Sequence, residues 1–250
     1  MNFGSMEEFN LWLDVNKKNN FAGGSQGECY KIGNKVFKIF SKHIDSEYDV
    51  ELFSYDMNNI MQFKDILNNT YVWPMEPIMV LDEFVGYITE YINAKSLFKI
   101  NPLKISLDKF EDALCKAEKD IKVVSDNGVL SYDVAYNILY GRNGFKIIDT
   151  LDYVKSDADS KKLYYQNLKN FYYEIRLFLI DGYFDNFVYK DSFLYNLCCS
   201  NDGNFILFLK EFRKRLSEIE GYEISRLGEA KKSILVKEYS KCKYIRELGV

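Results

Sequence analysis

The order of elements along the chain predicts an α+β protein built as two unequal lobes. Three observations predict it. Strand-like stretches crowd the region from about residue 20 to 92, with one helical pattern among them. From about residue 105 the pattern turns helical, broken only by a small hairpin. And 250 residues provide for one large domain or two small lobes, and no more. Strands segregated from helices argue against a doubly wound parallel sheet. Residues 1–20 then form a lead-in helix, 21–94 a small antiparallel-sheet lobe with one helix, and 95–250 a mainly helical lobe carrying a hairpin region at 129–152.

Each element has a local reason. Phe9, Leu11, Trp12 and Leu13 among polar residues predict an amphipathic helix over 6–18. A glycine cluster, a turn at Gly33-Asn34 and the apolar Val36, Phe37, Ile39 and Phe40 predict two strands, with glycines opening the first. Residues 44–68 carry apolar side chains at helical spacing. Trp73 to Pro77 is extended, because residues before proline avoid the α region. Residues 77–81 and 85–92 pair as a hairpin around Asp82-Glu83. Helical patterns follow at 107–127, 160–181, 190–199, 203–219 and 226–240, and a second hairpin joins 138–140 to 145–148. The aromatic clusters Tyr164-Tyr165 and Phe171-Tyr172-Tyr173 read as core packing.

Composition narrows the function classes. Apolar residues at 47% and charged residues at 28% are ordinary for a folded chain and exclude disorder and low complexity. No apolar run has membrane-spanning length, and acids stand where a signal peptide would carry cations, so a cytoplasmic protein without a membrane partner is expected. The net charge of −4 gives no overall basic field, so nucleic acid is not expected as a partner. Residues 205–250 carry 11 Lys/Arg against 7 Glu; the run Lys210 to Arg215 reads as a solvated face over a stripe of Phe205, Leu209, Phe212 and Leu216. Five scattered cysteines without a CxxC pair read as reduced thiols, and the lone His43 leaves no room for a histidine-rich metal site.

Four features could carry chemistry. Gly23-Gly24-Ser25-Gln26-Gly27 could bring backbone N–H groups close to an anion, or be a hairpin turn. Lys38, in Val36-Phe37-Lys38-Ile39-Phe40, is either a buried cation needing an anionic partner or an exposed lysine on the polar phase of its strand. Asp133 and Asn137 flank a loop, which could hold a hydroxyl group and magnesium or be turn chemistry. Asp149 ends the apolar Ile147-Ile148, where it could bind magnesium or simply terminate a strand.

In this order, the four resemble the protein-kinase-like phosphotransferase superfamily, in a compact, divergent bacterial or phage-type form. Ser125 to Leu139 looks like that family's catalytic-loop region, Phe145 to Asp149 like its metal-binding strand, and Val85 to Ile92 like its hinge strand with Thr89 at the gatekeeper place. The resemblance covers roughly residues 20–155 and implies a protein-kinase-like two-lobe fold with ATP and magnesium (Mg2+) as cofactors. Gly24 and Gly27 would cover the phosphates and Lys38 hold them. Glu51, or failing it Glu47, would pair with Lys38. The backbone from Glu90 to Ile92 would face adenine. Asp133 would act on the acceptor hydroxyl, and Asn137 and Asp149 would bind magnesium.

The chain departs from the family pattern in places. Ser131 and Tyr132 replace the usual His-Arg, Asp133 to Asn137 spans four positions instead of five, and Asp149 is followed by Thr150-Leu151. Only about ten residues separate Asp149 from the next helix, too few for a peptide platform switched by phosphorylation. The implied activity is ATP- and magnesium-dependent transfer of a phosphoryl group to a hydroxyl acceptor, protein or small molecule. The alternatives are a pseudokinase-type nucleotide-binding module without turnover, and a helical interaction protein whose motifs are accidental.

Overall fold

A computed structural model describes residues 1–44, 55–132, 134, 136–199 and 204–234. The chain is α+β and divides into two compact units. The first holds residues 1–67, 72–93 and 149–152; the second holds 68–71, 94–148 and 153–250.

The first unit is built on a six-stranded sheet. Its strands are β1 (Asn2–Phe3), β2 (Asn20–Gly24), β3 (Gly27–Ile32), β4 (Lys35–Phe40), β5 (Glu76–Val80) and β6 (Glu83–Glu90), in the order β1-β5-β6-β4-β3-β2. The sheet is mixed, because β1 runs parallel to β5 while the other neighbours are antiparallel. Helix α1 (Met6–Asn16) starts where Ser5 Oγ accepts the Glu8 N–H, and Glu7 and Glu8 complement the positive end of the helix. It buries Phe9 edge-on against Phe3, in a core with Ile39, Ile78, Val85 and Ile88. The opposite face packs Phe40, Tyr87, Phe84 and Leu151 with Ile60 of the short helix α2 (Met57–Met61).

Both faces of β4 are therefore covered. Ile39 faces the α1 core, and Phe40 the other. Side chains alternate along a strand, so Lys38 points to the same side as Phe40. Two glycines let the neighbouring strands close on β4. A Cβ at Gly86 would lie 2.2 Å from the Lys38 carbonyl oxygen, and one at Gly27 would lie 2.2 Å from that of Ile39.

The second unit centres on α3 (Leu107–Asp126) and α4 (Ser160–Leu179). Phe110, Leu114, Ala117, Ile121 and Val124 recur at helical spacing on α3 and are buried. Phe110, Phe145, Phe171 and Phe178 form an aromatic core across α3, α4 and the hairpin. That hairpin pairs β9 (Ile138–Gly141) with β10 (Gly144–Ile147), and β9 also pairs with the short β7 (Lys95–Ser96). Strands β8 (Val129–Leu130) and β11 (Val154–Lys155) form a separate pair. Helices α5 (Asp185–Tyr189), α6 (Ser192–Cys199) and α7 (Phe205–Glu220) complete the unit. On α7 the stripe Phe205, Leu209, Phe212 and Leu216 is buried, and Arg213 bridges Asp108 and Glu223 at the surface.

The structure corrects several expectations. The glycine cluster joins two strands, β2 and β3, so three strands lie between residues 20 and 40 where two were expected. The helix expected over 44–68 is limited, among described residues, to α2 followed by a turn. The one expected over 226–240 is a single 3-10 turn at Leu227–Glu229 within the described part. Phe171 and Tyr172 are core residues, whereas Tyr165 and Tyr173 are exposed.

Candidate functional site

The sheet register builds a row of functional side chains. Cys29 on β3 and Tyr87 on β6 lie directly opposite Lys38 on β4. Opposed residues of antiparallel strands share a face. Lys38 is 6% exposed, so its ammonium cannot rely on water. Its partner is Asp149: Lys38 Nζ donates to Asp149 Oδ1 at 2.5 Å. These residues are 111 positions apart. The alternative reading of Lys38 as exposed is excluded, because β4 is buried on both sides.

Lys38 Nζ also donates to Gln26 Oε1 at 3.2 Å, and Gln26 Nε2 donates to Asp152 Oδ2 at 3.2 Å. The glycine-loop amide thus bridges the cation and a second carboxylate of the Asp149–Asp152 segment. Ser41 anchors the loop, with Oγ donating to the Ser25 carbonyl at 2.8 Å and its N–H to that of Gln26 at 3.2 Å. The Tyr87 hydroxyl reaches Asp149 Oδ1 at 3.5 Å. Burial, then the Asp149 charge, pushes the Tyr87 hydroxyl well above its ordinary range, so it stays a neutral donor. Burial likewise raises the Cys29 thiol to about 11, although Lys38 pulls it down, which leaves this thiol protonated and unreactive.

Backbone strain marks the same segments. Among described residues only Leu81, Tyr136 and Asp149 combine a side chain with positive φ. Leu81 sits in the β5–β6 turn, where such geometry is usual. Tyr136, φ 63°, precedes Asn137, and Asp149, φ 57°, aims its carboxylate at Lys38. Left-handed non-glycine residues concentrate where function fixes the backbone.

The other predicted residues fall as follows. Gly27 is required by the close approach of β4, whereas a Cβ at Gly24 would meet nothing within 4 Å. Thr89 donates its hydroxyl to the Trp73 carbonyl at 3.1 Å. Glu90 ends β6 opposite Lys35, Ile92 is half-buried beyond it, and the Tyr91 N–H between them is bonded to the Asn34 carbonyl at 2.8 Å. Asn137 belongs to the second unit, where its carbonyl accepts the Ile148 N–H at 3.0 Å. Asp133, Glu47 and Glu51 lie outside the described residues.

In the second unit, the chain just after β8 is held by a network that sequence reasoning missed. Buried Asn167 accepts from both the Ser131 N–H at 2.9 Å and its hydroxyl at 2.8 Å. Its amide donates to Ser125 Oγ at 3.0 Å and to the Val129 carbonyl at 2.9 Å. Asn170 adds a bond to the Ser131 carbonyl at 2.8 Å. Ser131 is therefore a fixed point of the backbone after β8. Gln26, Tyr87, Asp152 and Asn167 act through long-range contacts that local sequence patterns do not encode. Only Gln26 had a local signal, from its place in the glycine cluster.

Among described residues no group of three or more His, Cys, Asp or Glu side chains is arranged to hold a metal by itself. Asp149 and Asp152 nevertheless put two carboxylates on one short segment, and hard oxygen donors of this kind suit magnesium that keeps waters and phosphate oxygens as its remaining ligands. No helix of the described residues is long and apolar enough to cross a membrane. No protein-family model matches the sequence, and no curated protein matches it.

Proposed function

We propose that the chain is a kinase-like, ATP- and magnesium-dependent phosphotransferase with a protein-kinase-like two-lobe fold. One observation carries the proposal: a buried lysine from the central strand is paired with a carboxylate held in a strained backbone, and the glycine-loop glutamine bridges both to Asp152. A buried ammonium beside a glycine loop is suited to polyphosphate, because phosphoryl transfer depends on positioning and charge neutralisation.

In this reading Lys38 holds the nucleotide phosphates, with Gly24, Gln26 and Gly27 covering them. Glu90 to Ile92 supply the backbone that faces adenine. Asn137 and Asp149 would hold magnesium, which when bound offsets the phosphate charge. Asp133 orients and deprotonates the acceptor hydroxyl, and Asn167 fixes the loop through Ser131. Gln26 and Asp152 hold the glycine loop over Lys38 when no phosphate competes for it.

A second reading keeps nucleotide binding without turnover. It is favoured by the Lys38–Asp149 pair, in which the two charges already satisfy each other. Turnover separates the two. Phosphoryl transfer or ATP hydrolysis by wild type, lost in both Asp133→Ala and Asp149→Asn, is the expected result. Nucleotide binding without turnover in any acceptor pool would favour the second reading.

A further inference from the structure

The second unit carries a groove of about 1050 Å³ between the outer face of α3 and the β9–β10 hairpin. Six cations line it: Lys104, Lys109, Lys116, Lys119, Arg142 and Lys146. All but Lys146 are exposed. None of the six forms an ion pair with a described carboxylate. The groove has two acids of its own. Asp120 is buried and already accepts from the Thr70 hydroxyl at 2.6 Å and the Asn69 N–H at 3.0 Å. Asp112 is exposed and pairs with none of the lysines beside it. On a chain whose net charge is −4, this leaves a positive surface, with six cations against two acids.

We propose that this groove docks an acidic segment of a partner protein. Unmatched like charges repel, and a complementary ligand removes that cost while gaining steering and register. The spacing suits a polypeptide. Lys109 and Lys116 are separated by about 10 Å along α3, at 1.5 Å per residue. Carboxylates on one face of an extended peptide recur every two residues, about 6.6 Å apart, so a run of acids places one within side-chain reach of each lysine. The chemistry favours a peptide over nucleic acid. The rings in the groove, Tyr140 and Phe145, pack against each other and against Phe110 and offer no free stacking platform. Five of the six cations are lysines, compact point charges, and the groove has only one planar guanidinium. The inference rests on charge and shape and is independent of the nucleotide site. That the docked protein is also the phosphoryl acceptor is a further step, and that step alone rests on the phosphotransferase reading.

The test uses the full chain without nucleotide, so that peptide docking and the phosphotransferase reading fail separately. A fluorescent glutamate-rich peptide of about ten residues, and its Glu→Gln counterpart, are titrated by anisotropy. The acidic peptide is expected to bind and the neutral one not to bind. The double variant Lys109→Glu/Lys116→Glu, its fold checked by circular dichroism, should weaken binding about tenfold or more. Lys161→Glu/Lys162→Glu, the same charge change on α4 away from the groove, should leave it within about twofold. Equal losses in the two variants would overturn the proposal, since net charge alone would then explain binding. It would also be overturned if a single-stranded oligonucleotide of equal charge bound more tightly through Lys109 and Lys116. A dimer of the chain dissolved by Lys109→Glu/Lys116→Glu would instead assign the groove to a second copy.

Discussion

Asp149→Asn should destabilise the sheet-bearing unit, and Lys38→Met should not. The difference follows from which charge each change strands. The Lys38 side chain is 7% exposed, whereas Asp149 keeps 28% of its surface open. Asp149→Asn leaves an enclosed ammonium without its counter-charge, facing only neutral amide oxygens such as Gln26 Oε1, at 3.2 Å. Breaking a buried ion pair costs about 3–5 kcal/mol; the exposure of Asp149 and the surviving Gln26 bond reduce this to about 2 kcal/mol. Lys38→Met keeps the apolar stem and leaves a carboxylate that water can reach, so its cost stays within about 1 kcal/mol. Asparagine adopts left-handed backbone readily, so Asp149→Asn does not add strain at φ 57°. The double variant strands neither charge and should match Lys38→Met instead of summing the two losses. Both tryptophans, Trp12 and Trp73, belong to this unit, so urea unfolding followed by tryptophan fluorescence at neutral pH reports it directly. Equal costs for the two single variants, or an additive double variant, would show that the two charges are not unequally enclosed and coupled.

Two further outcomes follow from groups elsewhere in the chain. Asn167→Ala leaves the Ser131 N–H and the Val129 carbonyl without their partner, and should cost about 3 kcal/mol in chemical denaturation, at roughly 1–3 kcal/mol for each unsatisfied buried group. His43 is held below its ordinary value of 6.5, chiefly by burial and then by Lys42, with Glu83 opposing. The unfolded chain then binds a proton that the folded chain refuses, so stability is complete above pH 6.5 and falls as the pH drops below it. His43 is the only histidine, so His43→Gln should remove most of the fall in melting temperature between about pH 7.5 and 5.5.

Much of the fold was legible because long periodic segments report their own burial. The α3 stripe, the α4 pattern and both hairpins declared themselves through spacing and turn residues. The two-residue strands β1, β7, β8 and β11 did not, because two residues carry no period. The glycine cluster signalled a turn but not that a strand, β2, precedes it. Lys38 shows where alternation misleads. On a strand covered on one face, its position reads as polar and exposed. Leu151 and Tyr87 cover the second face, and that is a tertiary fact. Asp149 was legible as an acid ending an apolar strand, but its pairing with Lys38 was not, since the family resemblance implied a helix glutamate, Glu51 or Glu47, as the partner. Gln26, Asp152 and Asn167 join residues brought together only by folding. No local spacing could announce them.

As proposed, Lys38 and Asp149 form a nucleotide-phosphate site. Calorimetric titration of the full chain with ATP and magnesium, beside Lys38→Met, tests it most directly. Lys38→Met is the suitable variant, because it should fold as well as wild type. Wild type should bind saturably, and Lys38→Met about tenfold or more weakly through loss of a charge-assisted hydrogen bond. No binding by wild type, or equal affinity in the two proteins, would contradict it.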